Sequence, residues 1–96
     1  MNITDNEMNI ILKILNFYID SCEVFVFGSR LNGDNKPFSD LDLVFKCKKD
    51  LKFKDLSEIE YAFSESDLPY QVDIVDYNSA SENFQKIIDD NKLKIF

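Results

Sequence analysis

Four apolar residues, Val24 to Phe27, run without a break into Gly28-Ser29, and after a polar stretch a second apolar segment begins at Leu41. In that second segment Asp40, Asp42 and Val44 alternate with Leu41, Leu43 and Phe45. A β-branched and aromatic run closed by glycine reads as a buried strand, and strict alternation reads as a second strand. Between them, Leu31 to Phe38 reads as a loop punctuated by Gly33 and Pro37. Two strands joined this way commit the chain to a sheet, and the remaining segments have to pack around it.

The same stretch carries chemistry. Glycine at a strand end lets a ligand approach the backbone where a Cβ would collide, and Ser29 adds a hydroxyl and an amide donor, so a phosphate can sit there. Residues two apart on a strand point to one face, which places the Asp40 and Asp42 carboxylates together. Hard carboxylate oxygens in that arrangement suit Mg²⁺, which takes one or two carboxylates and completes its octahedron with water and substrate phosphate. The alternative is a solvated strand face, which would set two charges against each other for no return.

A third strand, Tyr70 to Asp76, carries Asp73 among Val72, Ile74 and Val75. A carboxylate in an apolar strand is costly unless it is paired, metal-bound or at the rim. Asp76, beside Asn78 at the strand end, belongs instead to the turn. Arg30 is the chain's one arginine among eleven basic residues. Its planar fork can bind phosphate oxygens as lysine cannot, with a surface salt bridge as the competing reading. The lysines between Lys46 and Lys54 form a basic patch, either a solvated loop or a feature that steers a nucleoside triphosphate.

The rest of the chain reads as support. Thr4 and Glu7 form a capping box, followed by Met8, Ile11, Leu12, Leu15, Tyr18 and Ile19 at helical spacing. A second apolar set, Ile10, Ile14 and Phe17, belongs either to a wide core or to a partner surface. A helix from about Asp55 to Ser66 shows Leu56, Ile59, Ala62 and Phe63 on one side, reads as packing alone, and ends before Leu68-Pro69. Ser79 and Glu82 offer a second capping box, opening a helix to about Asp90 with Asn91 at a left-handed C-terminal position. Leu93 to Phe96 reads as a short closing strand. The order predicts an α/β (α+β) domain, a small mixed sheet with helices packed against it. Neither a P-loop Gly-Lys-Ser/Thr nor a G-x-G-x-x-G is present, so both common nucleotide-binding folds fit poorly.

Composition narrows the function. Ninety-six residues suggest a single domain over 1–96. A net charge of −7 opposes unaided binding to nucleic acid and favours a basic protein partner. No apolar run is long enough to span a bilayer and no secretory signal is evident, which predicts a cytoplasmic protein without membrane contact. In that compartment Cys22 and Cys47 are expected as free thiols in core or edge positions. With no histidine and two cysteines, a zinc site is close to excluded, and catalysis that needs an imidazole base is excluded outright.

Gly28-Ser29, ten residues, then Asp40-Leu41-Asp42 resembles the G-S-x10-D-x-D signature of the DNA polymerase beta type nucleotidyltransferases. The short length and the flanking segments GSR and SDLDL resemble the minimal nucleotidyltransferases, the MNT antitoxin halves of HEPN/MNT toxin-antitoxin modules. The likeness extends from the first helix to the last residues. It departs at Asn32, where the family commonly shows a second arginine. The resemblance implies a polymerase beta-like nucleotidyltransferase fold, with Asp40, Asp42 and Asp73 as catalytic carboxylates binding two Mg²⁺ ions. Gly28, Ser29 and Arg30 are then the phosphate-binding residues. It further implies ATP as donor, AMP transfer to a tyrosine hydroxyl of a cognate HEPN ribonuclease toxin, and a hetero-oligomer with that toxin. The alternative is an antitoxin that neutralises its partner by occlusion without catalysis.

Overall fold

The computed structural model describes residues 2–28 and 40–96; Ser29, Arg30 and the Leu31 to Phe38 loop lie outside the described residues. The described elements run α1 (Asp5–Tyr18), β1 (Cys22–Phe27), β2 (Leu41–Cys47), α2 (Phe53–Ser64), β3 (Val72–Asp76), a 3₁₀ turn (Tyr77–Ser79), α3 (Glu82–Asp90) and β4 (Lys92–Lys94). The four strands form one sheet in the order β3-β2-β1-β4. β1 is antiparallel to β2 and β4, and β2 is parallel to β3, so the sheet is mixed as expected.

Alternation along the strands divides the side chains between two cores. Val24, Val26, Leu41, Leu43, Phe45 and Val72 pack beneath Ile11 and Leu15 of α1 and Ile59 and Phe63 of α2. On the opposite face Phe25 and Val44 pack with Ile88 of α3, joined by Phe27, Val75, Tyr77 and Phe84. Helices therefore cover both faces. Full burial of side chains the size of Phe45, Leu43 and Ile88 contributes about 1.5 to 3 kcal/mol each before the entropy of ordering is subtracted.

Helix ends are set locally. The Thr4 hydroxyl accepts from the Glu7 amide at 3.1 Å, while Glu7 Oε1 accepts from the Thr4 amide at 3.1 Å and from Tyr70 Oη at the same distance. The first capping box thus also ties α1 to the segment leading into β3. α2 begins at Phe53, earlier than the apolar spacing indicates, because the Lys52 amide donates to the Asp55 carboxylate at 3.2 Å. The second capping box is displaced: Ser81 caps α3 by accepting from the Phe84 amide at 3.2 Å, while Ser79 donates to Asp76 Oδ2 at 2.8 Å. Asp76 Oδ1 also accepts from the Asn78 amide, so Asp76 does belong to the turn. Asn91 ends α3 but at φ −140°, not in the left-handed region; its side-chain amide satisfies the Ile87 carbonyl directly.

A small network anchors α3 and β4. Tyr77 Oη donates to Asp89 Oδ2 at 2.8 Å, Lys92 Nζ meets Asp89 Oδ1 at 3.0 Å, and Lys46 Nζ lies 4.7 Å above the Tyr77 ring. The Lys92 and Tyr77 hydrogen bonds hold the Asp89 carboxyl below its ordinary range.

The cysteines depart from the expectation of free thiols. Cys22 and Cys47 face each other across the β1–β2 ladder, with Cα atoms 3.9 Å apart, and form a disulfide. Compartment arguments address which redox state is favoured, whereas the ladder register decides which sulfurs can meet. Cross-links that close a loop of some 25 residues stabilise by about 3.5 kcal/mol through the unfolded state. Reduction with dithiothreitol is therefore expected to lower the unfolding free energy by about that amount, read from paired urea titrations, with no change in a Cys22→Ala/Cys47→Ala variant.

Candidate active site

The predicted carboxylates come together at one end of the sheet because of strand register. β1 ends where β2 begins, placing Phe27 opposite Asp42, and the parallel pairing of β2 with β3 places Asp42 beside Asp73. Both carboxylates lie on the face shared with Phe27, Val44 and Val75, since Leu41, Leu43 and Val72 turn to the other core. Asp40 immediately precedes β2 and is exposed; Asp42 and Asp73 are half-buried.

Gly28 closes the arrangement. Its φ of +90° is a conformation that L side chains rarely adopt, and a Cβ built on it would lie 2.6 Å from Asp42 Oδ2. The missing side chain was expected to admit a ligand, and in the structure that space also accommodates the Asp42 carboxylate itself. Ser29 and Arg30, expected beside it as phosphate ligands, lie outside the described residues.

Electrostatics mark Asp42 as the strained member. Its carboxyl is raised above the ordinary range, first by burial and then by the charges of Asp73 and Asp40. Among the described residues the salt bridges are Lys92–Asp89 and Lys94–Glu23, neither of which relieves this cluster. A hard divalent cation would. The donor set fits Mg²⁺, which needs one or two carboxylates and takes its remaining ligands from water and phosphate. Among the described residues no group of three or more acidic, histidine or cysteine side chains is placed to hold a metal ion by itself.

Two features escaped the sequence analysis. Gln71 Nε2 donates to Asp73 Oδ1 at 2.9 Å and fixes one oxygen of that carboxylate. The i, i+2 spacing of Gln71 and Asp73 on a strand could have revealed it, by the same rule that groups Asp40 with Asp42. α2 also does more than pack. Its outward residues Ser57, Glu60, Tyr61 and Ser64 form, with β3, a groove of about 700 Å³ that reaches Asp73.

A family model described as "Polymerase beta, Nucleotidyltransferase" matches residues 9–96. The chain belongs to this family. The nucleotidyltransferase is 40% identical over 88 residues to a "Probable protein adenylyltransferase MntA" of Haemophilus influenzae, covering 92% of this chain and 77% of that protein. It superimposes with a TM-score of 0.80 and 26% identity on a solved structure described as a toxin-antitoxin with AMP-PNP, over 93% of this chain and 72% of the other. The fold also matches a complex of a tri-AMPylated Shewanella oneidensis HEPN toxin with MNT antitoxin, with a TM-score of 0.70, 23% identity, and coverage of 93% and 68%. The expected polymerase beta-like fold is thereby established for this nucleotidyltransferase.

Two substitutions check the geometry. Gly28→Ala is expected to cost about 1 to 2 kcal/mol from the left-handed backbone alone and to push the Asp42 carboxylate aside, read by urea unfolding. Asp42→Asn acts oppositely on stability. A folded-state carboxyl raised above its unfolded value of about 3.9 weakens the fold as pH rises past that value, whereas below it both states are protonated and the penalty vanishes. The melting temperature of Asp42→Asn without Mg²⁺ is thus expected to exceed that of the parent at pH 7, with the difference gone by about pH 3.

Proposed function

We propose that residues 1–96 act as one minimal nucleotidyltransferase domain, an Mg²⁺-dependent antitoxin in the cytoplasm that transfers AMP from ATP to a tyrosine hydroxyl of a HEPN ribonuclease toxin. The reading rests on the adjacency of Asp42 and Asp73 in front of Gly28. Similarity to a relative named as a probable protein adenylyltransferase supports the choice of a protein acceptor. The net charge of −7 also disfavours a polynucleotide acceptor.

In this mechanism the backbone at Gly28 and Ser29 holds the β and γ phosphates, with Arg30 reaching phosphate oxygens. Asp40, Asp42 and Asp73 would hold two Mg²⁺ ions, which when bound supply the positive charge that stabilises the attacking and leaving oxygens. The acceptor hydroxyl oxygen attacks the α-phosphorus, the bond from that phosphorus to the α,β-bridging oxygen breaks, and pyrophosphate leaves. Asp73, oriented by Gln71, takes the hydroxyl proton. Half-burial of Asp42 limits competing water around its charge. Cys22 and Cys47 lie opposite each other at the far end of β1 from Gly28, so their redox state leaves this arrangement in place.

Occlusion without chemistry is the second reading, favoured by the exposed aromatic side chains of α1 and α2, which could bind a partner whatever the carboxylates do. Asp42→Asn separates the two. Under the catalytic reading it reduces AMP transfer to the HEPN-type protein encoded beside this chain at least 100-fold, read by intact mass, while the complex still forms. Neutralisation of the toxin that persists undiminished in this variant would instead establish occlusion.

A further inference from the structure

Four of the six exposed large apolar side chains among the described residues lie on neighbouring parts of α1 and α2: Phe17, Tyr18, Phe53 and Tyr61. Phe53 is 87% exposed, Phe17 80% and Tyr61 67%. Phe17 had two readings from its spacing, core or partner surface, and its exposure removes it from the core. Its ring stacks edge-on against Tyr18 at 4.9 Å. Tyr18 in turn borders an apolar hollow between α1 and α2 that includes Phe53, Ser57 and Tyr61.

That hollow adjoins the groove at the β3 edge. Ser57 and Tyr61 line it on one side and also line the groove of about 700 Å³ along the sheet edge that reaches Asp73. One surface therefore runs from the aromatic cluster, over α2, to the β3 edge at Asp73, whose carboxylate lies just around that edge on the α3 face. The groove's charged lining residues are Glu60 and Asp73, and the adjoining hollow adds Glu58 and Lys54, which leaves the joint surface net acidic. Aromatic anchors beside an acidic groove select a protein segment that is neutral or basic and repel a polynucleotide.

We propose that this α1–α2 face is the docking surface for the acceptor protein, with the aromatic cluster as anchor and the α2–β3 groove guiding a neutral or basic tyrosine-bearing segment to Asp73. The assignment rests on the protein adenylyltransferase reading for the identity of the occupant. Tyr61 is the pivot, because it belongs to both the anchor and the groove.

The test uses Phe53→Glu and Tyr61→Glu, both at exposed positions outside the catalytic machinery, with Lys86→Glu on α3 as the control. The HEPN-type protein encoded beside this chain is the probe. Each of the two variants is expected to weaken the nucleotide-free complex at least tenfold by calorimetry and to raise the KM for the acceptor, leaving the KM for ATP and kcat at saturating acceptor within twofold. Lys86→Glu should change none of these. Unchanged affinity with AMP transfer intact would overturn the docking assignment and leave the function standing. A rise confined to the KM for ATP would also overturn it, assigning the groove to the nucleotide base. Loss of complex in Phe53→Glu and Tyr61→Glu, in a protein whose parent transfers no AMP, would uphold the docking surface and overturn the transferase reading.

Discussion

Asp42 and Asp73 sit side by side across a parallel ladder, and their mutual repulsion is the constraint on which the active end of the sheet depends. Neighbouring strands lie about 4.8 Å apart, and two unit charges at that spacing in a partly solvated setting repel by roughly 1 to 3 kcal/mol. For Asp42 burial raises the carboxyl more than either neighbouring charge does. Such an arrangement persists because the frame around it is over-determined: Leu41, Leu43 and Val72, each adjacent in sequence to one of these carboxylates, are locked into the α1–α2 core. A register slip by one residue would drive the carboxylates into the α1–α2 core and move the leucines to the α3 face, so the packing of one face fixes where the carboxylates lie.

The glycine completes the same logic. Gly28 ends β1 where the Asp42 carboxylate needs room, in a positive-φ conformation that L side chains rarely adopt. Support for β1 comes from both sides, with β2 pairing along its whole length and β4 covering Phe25 to Phe27. The Cys22–Cys47 cross-link secures the end of the β1–β2 ladder remote from the carboxylates, while the Tyr77–Asp89–Lys92 network ties β4 to α3 in the register row of Phe27 and Asp42.

The aromatic face of α1 and α2 belongs neither to the core nor to the carboxylate cluster. Side chains as large as Phe53 and Phe17 left mostly in water contribute little to the core, and a contiguous exposed aromatic patch of this kind suits association. They adjoin a groove that runs to the β3 edge at Asp73. A domain of this size that acts on a large acceptor has to recognise it through its outer surface.

Much of this was legible in the residues themselves. Alternation around Asp40 and Asp42, the glycine after an apolar run, the charge inside Tyr70 to Asp76 and the Thr4–Glu7 box are local patterns, and local patterns determine strands, caps and which face a side chain takes. Tertiary structure decided what depends on neighbours distant in sequence. The pairing of Asp42 with Asp73 and of Cys22 with Cys47 follows from inter-strand register, which periodicity alone leaves open. Ser81 prevailed over Ser79 as the cap of α3 because the Ser79 hydroxyl is engaged by Asp76. The exposure of Phe17, Phe53 and Tyr61 likewise emerges only once α1 and α2 are docked, since a helix shows its apolar residues in sequence without showing which of them the core has room to bury.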